Sequence, residues 1–173
     1  MKRRYDIFLA VTGLLFFLPI MLLISMLIKL DDGGPVLFRQ YRLGKYKRPF
    51  LIYKFRSMKD GNVTRIGQWL RKSGLDELPQ IVNVLRGEMS VVGPRPLTYD
   101  DIYRMGWDKR YYISRWHIKP GITGLAQLHA GRSAHHSWLF DKTYLKNESI
   151  ALDIKIIILT IVTVSYTHLT LPT

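Results

Sequence analysis

Cysteine is absent from this chain of 173 residues, and acidic side chains are half as numerous as basic ones, 13 against 26. Without cysteine the chain forms no disulfide and has no thiolate to act as a nucleophile or metal ligand. The formal charge of +13 predicts an anionic partner: nucleic acid, a phospholipid surface or a phosphorylated substrate. Internal repeats and low-complexity tracts are also lacking, and the length predicts a single core-forming domain.

Only one long uncharged apolar run is present, over residues 7–28. At about 1.5 Å per residue, a helix of this length crosses a hydrocarbon core of about 30 Å, so hydropathy alone predicts a transmembrane anchor. Pro19, near the middle, removes a backbone hydrogen bond and favours a bend. Basic residues flank the run on both sides, and such flanks stay cytoplasmic. We therefore predict a re-entrant helix over residues 1–30 that is broken at Pro19 and enters and leaves the membrane by one face.

The rest of the chain predicts an α+β fold that is predominantly helical, with interfacial amphipathic helices and a few short strands. Residues 36–40 and 50–56 are typical of strands, and residues 67–72 of a short helix. Residues 99–113 combine aromatic and charged side chains in a pattern typical of an amphipathic helix, which suits either the bilayer interface or the protein core. The Gly-punctuated segment 119–127 predicts a loop that either approaches a nucleotide or simply turns.

The last ten residues, 164–173, match a translated reading frame of a transposase adapter used in sequencing libraries. We therefore expect residues 31–163 to form the body of the protein and exclude residues 164–173 from the fold prediction.

Two adjacent acids, Asp76 and Glu77, form the most informative local pattern in the sequence. Arg71 precedes them, and Arg95 follows in a Gly-Pro-Arg-Pro loop whose two prolines restrict the backbone. Carboxylates can hold a divalent metal or attack phosphorus, and arginines neutralise phosphoryl oxygens. The pattern predicts phosphate chemistry, although the two acids could equally serve to complement the positive end of the helix that follows.

Several longer motifs occur around these residues in a fixed order. They are Tyr53-Lys54-Phe55-Arg56-Ser57-Met58, Leu75-Asp76-Glu77-Leu78-Pro79-Gln80, Asn83-Val84-Leu85-Arg86-Gly87-Glu88-Met89-Ser90-Val91-Val92-Gly93-Pro94-Arg95-Pro96 and Lys119-Pro120-Gly121-Ile122-Thr123-Gly124-Leu125-Ala126-Gln127. With the proline-containing apolar helix before them, they closely resemble the monotopic phosphoglycosyl transferases, bacterial sugar transferases that start glycan assembly on a lipid carrier. The resemblance extends to about residue 163.

This resemblance implies transfer of a phosphosugar from a UDP-sugar to undecaprenyl phosphate, with release of UMP and a requirement for Mg²⁺. It implies an enzyme at the cytoplasmic face of the bacterial inner membrane, in contact with membrane lipids and not with nucleic acid. Asp76 matches the family's nucleophile, and Glu77 matches the second acid, which helps to hold the metal or assists proton transfer. Arg71 and Arg95 match arginines near the phosphates, and Lys54 matches a basic residue on the membrane side of the site. Positions near the substrate pocket match Arg132 and Asp141.

Two other functions remain as alternatives. A non-catalytic basic membrane adaptor would bind lipid or nucleic acid by charge alone, but it would not need two acids between arginines. An ordinary nucleotide-sugar glycosyltransferase would release UDP instead of UMP. The sequence identifies neither the sugar nor the oligomeric state.

Overall fold

The computed structural model describes residues 2–129 and 133–169, and helices predominate in it. Three pairs of short strands accompany them, so the predicted α+β class is confirmed. The α-helices are α1 (Lys2–Asp32), α2 (Arg65–Ser73), α3 (Ile81–Arg86), α4 (Tyr99–Met105), α5 (Leu125–His129), α6 (Ala134–Asn147) and α7 (Ile150–Leu169). The strands are β1 (Leu37–Leu43), β2 (Pro49–Phe55), β3 (Met58–Lys59), β4 (Asn62–Val63), β5 (Ser90–Val92) and β6 (Gly121–Thr123). Helices of the 3₁₀ type cover Lys45–Lys47, Leu75–Gln80 and Arg110–His117.

Helix α1 has the length and composition of a membrane helix: its most apolar 18-residue stretch has a mean hydropathy of 2.8. It is the one such helix within the described ranges. Most of its apolar side chains are exposed, among them Phe8, Leu15 and Phe16 at 66–71%. So much exposed apolar surface on one helix indicates that it meets lipid or another apolar partner.

The structure assigns α1 as one helix that continues through Pro19. The predicted break is therefore not an interruption of the helix, because a helix tolerates the single backbone hydrogen bond that proline removes. Pro19 lies in the exposed middle of α1, between two halves that both pack against the rest of the protein. Which side of a membrane each end of α1 reaches stays a prediction.

The two halves of α1 contact different parts of the core. In the first half, Ala10 belongs to a buried cluster that contains Ile52 and Val84. In the second half, Ile24 and Ile28 pack in a cluster with Phe55 and Leu70, and the partly buried Leu75 and Leu78 join that cluster. Residues 75–78 carry the acid pair, so the second half of α1 supports the segment with the candidate site.

Strands β1 and β2 form an antiparallel hairpin in which Leu37 pairs with Phe55 and Leu43 with Pro49. Asn83, which is fully buried, joins α3 to this hairpin. Its side-chain amide donates to the Leu51 carbonyl at 2.8 Å and to Glu88 at 2.7 Å, and its oxygen accepts from the Tyr53 backbone N–H at 3.2 Å. The amide therefore fixes α3 against the strand that carries Lys54.

The Gly-punctuated segment 119–127 contains β6 and the beginning of α5 and is not simply a loop. Strand β6 pairs in parallel with β5, so this segment runs beside the Gly-Pro-Arg-Pro loop. A Cβ atom on Gly121 would lie 2.0 Å from the Gly93 nitrogen, and one on Gly124 would lie 2.1 Å from the Gly93 oxygen. Both glycines are needed for this close backbone approach, which holds the loop that presents Arg95.

The single helix predicted over residues 99–113 is wrong in its extent. Helix α4 ends at Met105 because Gly106 takes a left-handed conformation (φ 65°) that caps it, and a 3₁₀ helix follows from Arg110. Trp107 is buried in a core cluster with Trp116 and Trp138, whereas Tyr103 is 84% exposed. The aromatic residues are therefore divided between the core and the surface.

Candidate active site

The acid pair lies at a sharp turn between two helices. Gly74 adopts a left-handed conformation (φ 68°) that ends α2, and the 3₁₀ helix Leu75–Gln80 begins directly after it. Asp76 and Glu77 occupy the first turn of this short helix. Their carboxylates lie at the positive end of this helix, which is the alternative role that the sequence left open for them. Both acids also line a cleft.

Glu77 is held by two cations. Its Oε1 accepts a hydrogen bond from the Lys54 ammonium at 2.5 Å and lies 3.5 Å from Nη2 of Arg95. Lys54 comes from β2 and Arg95 from the proline-restricted loop, so Glu77 joins two separate walls of the site. Asp76 makes no such ion pair within the described part of the chain, and its carboxylate remains available in the cleft.

The environments of the two acids shift their pKa values in opposite directions. Burial raises the pKa of Asp76 above its ordinary value, and the neighbouring Glu77 charge adds to this, while Lys54 and Arg71 oppose it. Burial also disfavours the charge on Glu77, but Lys54 and Arg95 outweigh that effect and lower its pKa. The site therefore favours the ionised form of Glu77 and disfavours that of Asp76, each relative to its ordinary value.

Arg71 reaches the cleft from α2 because that helix packs unusually close to the chain after β2. A Cβ atom on Gly67 would lie 2.0 Å from the carbonyl oxygen of Ser57, so only glycine permits this contact. One turn later, Nε of Arg71 donates to the Ser57 hydroxyl at 2.8 Å. This bond orients the guanidinium while its remaining N–H groups stay available for an anion.

The cleft has a volume of about 570 Å³ and brings together five of the predicted site residues. These are Lys54, Arg71, Asp76, Glu77 and Arg95. Further cleft residues that the motif analysis did not assign to the site are Phe38, Gln40, Arg42, Phe55, Arg56, Ser57, Met58 and Gly74.

Strand β1 forms one wall of the cleft with alternate side chains. Phe38, Gln40 and Arg42 are spaced two residues apart and therefore point to one face, and Phe38 pairs with Lys54 across the hairpin. A correct prediction of the β1–β2 register, which places Phe38 opposite Lys54, would have identified this wall from the sequence. Arg42 also bonds Asp101 at 3.0 Å, while Asp101 forms a capping box with Thr98 at the start of α4.

Asp141, another predicted substrate-pocket residue, does not line this cleft but lines a neighbouring pocket that shares Arg95 with it. It is 3% exposed and accepts from Nε of Arg115 at 2.8 Å. Arg115 in turn donates to the backbone carbonyl of Arg95 at 2.6 Å. Asp141 therefore contacts the site through the backbone of the Arg95 loop, and its predicted substrate contact stays a prediction. Arg132 falls outside the described residues.

The donor set fits a magnesium ion shared with a substrate. Asp76 and Glu77 are adjacent carboxylates in an open cleft, and the described residues form no group of three or more side chains that could cage a metal. Mg²⁺ typically binds one or two carboxylates together with water and substrate phosphates. Asp76 and Glu77 are thus the residues that would hold it.

Comparison with known proteins agrees with the geometry. The family model for bacterial sugar transferases matches residues 1–167. The chain belongs to this family. The resemblance drawn from the motifs is therefore confirmed.

Relatives within this bacterial sugar transferase family differ in length. The chain is 40% identical to the UDP-glucose:undecaprenyl-phosphate glucose-1-phosphate transferase of Escherichia coli K12, over 93% of this chain and 39% of that protein. It is 41% identical to an Aeromonas hydrophila protein named for N-acetylgalactosamine phosphate transfer, over 94% of this chain and 43% of that protein. The chain thus spans about two fifths of these curated relatives. With a Rhizobium leguminosarum exopolysaccharide production protein it shares 38% identity over 94% of both chains.

Proposed function

We propose that this protein transfers a phosphosugar from a UDP-sugar to undecaprenyl phosphate and releases UMP, as an early step of bacterial glycan assembly. The observation that supports this most is the cleft in which two unequal carboxylates lie among Lys54, Arg71 and Arg95. Relatives that match nearly all of this chain are named for transfer of glucose or N-acetylgalactosamine phosphate to this lipid carrier.

In the first half of the proposed reaction, a carboxylate oxygen of Asp76 attacks the sugar-bearing phosphorus of the UDP-sugar. The bond between that phosphorus and the bridging oxygen breaks, and UMP leaves with the electron pair. The product on the protein is an aspartyl phosphosugar. Asp76 suits this role because it makes no ion pair within the described residues that would have to be broken first, while the Lys54 and Arg71 charges favour its ionised form.

In the second half, an oxygen of the lipid phosphate attacks the same phosphorus. The bond to Asp76 breaks, the carboxylate is regenerated, and a lipid-linked diphosphosugar is formed. Two anionic substrates must approach one anionic residue, so the cationic wall is needed to lower the repulsion. Bound Mg²⁺ would add further charge neutralisation on the phosphoryl oxygens. Glu77 binds Lys54 and draws Arg95 toward the attacked phosphate.

The structure of α1 supports a position at one face of the inner membrane. Both halves of α1 pack on the same protein body, and the exposed apolar middle around Pro19 lies between them. A helix that crossed the bilayer would bring its two ends to opposite faces, where one compact body could not contact both. A re-entrant course lets the body stay on the cytoplasmic face, where the lipid phosphate is presented.

A test of the reaction needs the nucleotide product and the covalent adduct together. The purified protein is incubated with a panel of UDP-sugars, Mg²⁺ and undecaprenyl phosphate, and we expect UMP from at least one sugar. Without the lipid, intact mass spectrometry should detect one phosphosugar on the chain. Asp76→Asn should abolish both signals, whereas Asp108→Asn, which removes an exposed carboxylate outside the cleft, should abolish neither.

The same experiment separates the alternative functions. UDP as the only nucleotide product would identify an ordinary glycosyltransferase and contradict the proposal. Absence of any nucleotide release, combined with binding to anionic vesicles, would favour the adaptor. UMP release without an adduct in the presence of donor alone would contradict the aspartyl intermediate but keep the overall transfer.

A further inference from the structure

A second basic cleft lies at the beginning of α1, and it shares no lining residue with the catalytic cleft. Its volume is about 240 Å³, many times the roughly 30 Å³ that one water occupies in the liquid. Four cationic side chains line it: Lys2, Arg3, Lys45 and Lys119. They come from three separate parts of the chain, the start of α1, the 3₁₀ turn after β1 and the segment before β6.

Of these four cations, Lys2 is neutralised by the protein itself. Its ammonium lies 3.1 Å from Glu148 and 2.9 Å from Asp153. Asp6, the other carboxylate in the wall, accepts from two neutral donors, the Ser90 hydroxyl at 2.8 Å and the Val91 backbone N–H at 3.0 Å, so its charge still acts on Lys119.

The other three cations form no ion pair with a carboxylate in residues 2–129 and 133–169. Arg3 donates to the backbone carbonyls of Val84 and Leu85 at the end of α3, which are dipoles and not full charges. The Lys45 ammonium lies 4.9 Å from the centre of the Tyr46 ring, which carries no net charge. Burial lowers the pKa of Lys119, and the nearby Arg3 charge lowers it further. The Asp6 charge opposes these effects, but one carboxylate does not balance three cations, and the crowding of like charges in a concave site is relieved when an anion binds.

The cleft lies next to the apolar part of α1. One to two turns after Arg3, the side chains of Ile7, Phe8 and Val11 are 39%, 66% and 43% exposed. If these side chains enter the lipid, the preceding turn of α1 lies at the level of the headgroups, where the phosphodiesters of phospholipids are concentrated. A free anion from the cytosol would gain nothing from that position, whereas a lipid brings its phosphate and its acyl chains together.

We propose that Arg3, Lys45 and Lys119 form a binding site for the phosphodiester of an anionic membrane phospholipid, separate from the catalytic cleft. The bound lipid would fix the beginning of α1 at the membrane surface, with its acyl chains along the exposed side chains of the first two turns. This site concerns a lipid that is not consumed, so it does not depend on the proposed sugar transfer.

The test measures lipid binding to the full chain in a non-ionic detergent by native mass spectrometry. The probes are short-chain phosphatidylglycerol, phosphatidylcholine with the same chains, and inorganic phosphate. We expect phosphatidylglycerol to bind at least ~10-fold more tightly than either of the others. Lys45→Gln combined with Lys119→Gln should weaken phosphatidylglycerol binding by ~10-fold or more.

Two matched variants control for net charge and for folding. Lys109→Gln with Lys146→Gln removes the same charge from exposed positions outside both clefts and should leave the affinity unchanged. Lys45→Arg with Lys119→Arg keeps the charge and should retain binding. Nucleotide release in detergent should be similar in all three variants, because none of these lysines lines the catalytic cleft.

Three results would overturn the proposal. One is unchanged phosphatidylglycerol binding when Lys45→Gln and Lys119→Gln are combined. Another is an equal loss in the control pair, which would show a dependence on net charge alone. The third is inorganic phosphate binding as tightly as phosphatidylglycerol with the same sensitivity to the variants, which would identify a site for a free anion.

Discussion

Two groups of polar side chains, one beside each end of α1, are arranged in opposite ways. At the first end, Lys2, Tyr144 and Asp153 satisfy one another: the Tyr144 hydroxyl donates to Asp153 at 2.7 Å, and Lys2 bonds the other carboxylate oxygen at 2.9 Å. Asp153 is 1% exposed. At the second end, Asp76 has no ion pair among the residues that the structure describes, and several cations face the open space of the cleft.

This difference separates a structural role from the proposed catalytic one. Buried charges that are fully paired hold elements together, and removing one partner leaves an uncompensated charge. Charges left partly unpaired in a cleft cost stability and are retained where they serve chemistry. Substitutions in the group of Lys2, Tyr144 and Asp153 should therefore affect stability, and substitutions in the cleft should affect activity.

The largest expected effect is on activity alone, from Asp76→Asn. Removal of the proposed nucleophile should lower UMP release by ~10³-fold or more, about 4 kcal/mol or more in transition-state free energy. Folding should not suffer. The raised pKa of Asp76 means that ionisation destabilises the folded state, a penalty that is absent at low pH and grows as the pH rises through the folded pKa. At neutral pH the uncharged Asn should therefore leave the melting temperature equal or higher. A large fall in melting temperature would show that Asp76 is structural.

The opposite result is expected at the buried end. Asp153→Asn removes the charge that pairs with Lys2, and the free energy of unfolding should fall by about 3 kcal/mol. The activity of the folded fraction should stay close to that of the parent. Denaturant unfolding in detergent measures the first quantity and nucleotide release the second. Glu148→Gln is the matched control, since its exposed pair with Lys2 should contribute less than about 1 kcal/mol.

Sequence patterns predicted the catalytic end of the molecule better than the buried one. The acid pair, the arginines on either side of it and the proline-restricted loop are local signals, and the structure brings them together in one cleft. The partners of Lys2 and Asp6 are 84 or more residues away in the chain, so no window of sequence reveals them. Asp141 shows the same limit, because its buried partner Arg115 only becomes evident when α6 packs against the 3₁₀ helix.

The sequence-based prediction of element boundaries was wrong where a glycine determines the backbone conformation. Residues 99–113 have a continuous amphipathic pattern, but Gly106 permits the left-handed cap that ends α4 early. Conversely, the glycines of residues 119–127 indicated a loop. In the structure they allow this segment to pack directly against the backbone of Gly93. A glycine alone does not distinguish these roles, because both need the absence of a side chain.

A smaller effect is expected from Arg95→Ala. Arg95 contributes a side chain to the open cleft, while its backbone is held by a buried ion-paired side chain. The Arg95 side chain is half exposed and 3.5 Å from Glu77, whereas its backbone carbonyl is held by the buried Arg115. Loss of the side chain should reduce activity by about 1–3 kcal/mol, the scale of a charge-assisted hydrogen bond, with little change in stability. Steady-state kinetics and thermal unfolding measure the two effects. Unaffected activity would make the loop a purely structural element.

The smallest expected effect is a pair of opposite shifts in the pH dependence of activity. The proposed reaction requires ionised Asp76, so activity should fall as the pH falls through the pKa of this residue. The Lys54 charge lowers that pKa and the Glu77 charge raises it. Lys54→Gln should therefore move the acid limb of kcat/KM to higher pH, and Glu77→Gln should move it to lower pH, whatever each variant does to the maximal rate. Profiles recorded between about pH 4 and 8 would measure both limbs. Shifts in the same direction would mean that the limb reports a group other than Asp76, and the distinction between the unpaired acid and its paired neighbour would then fail.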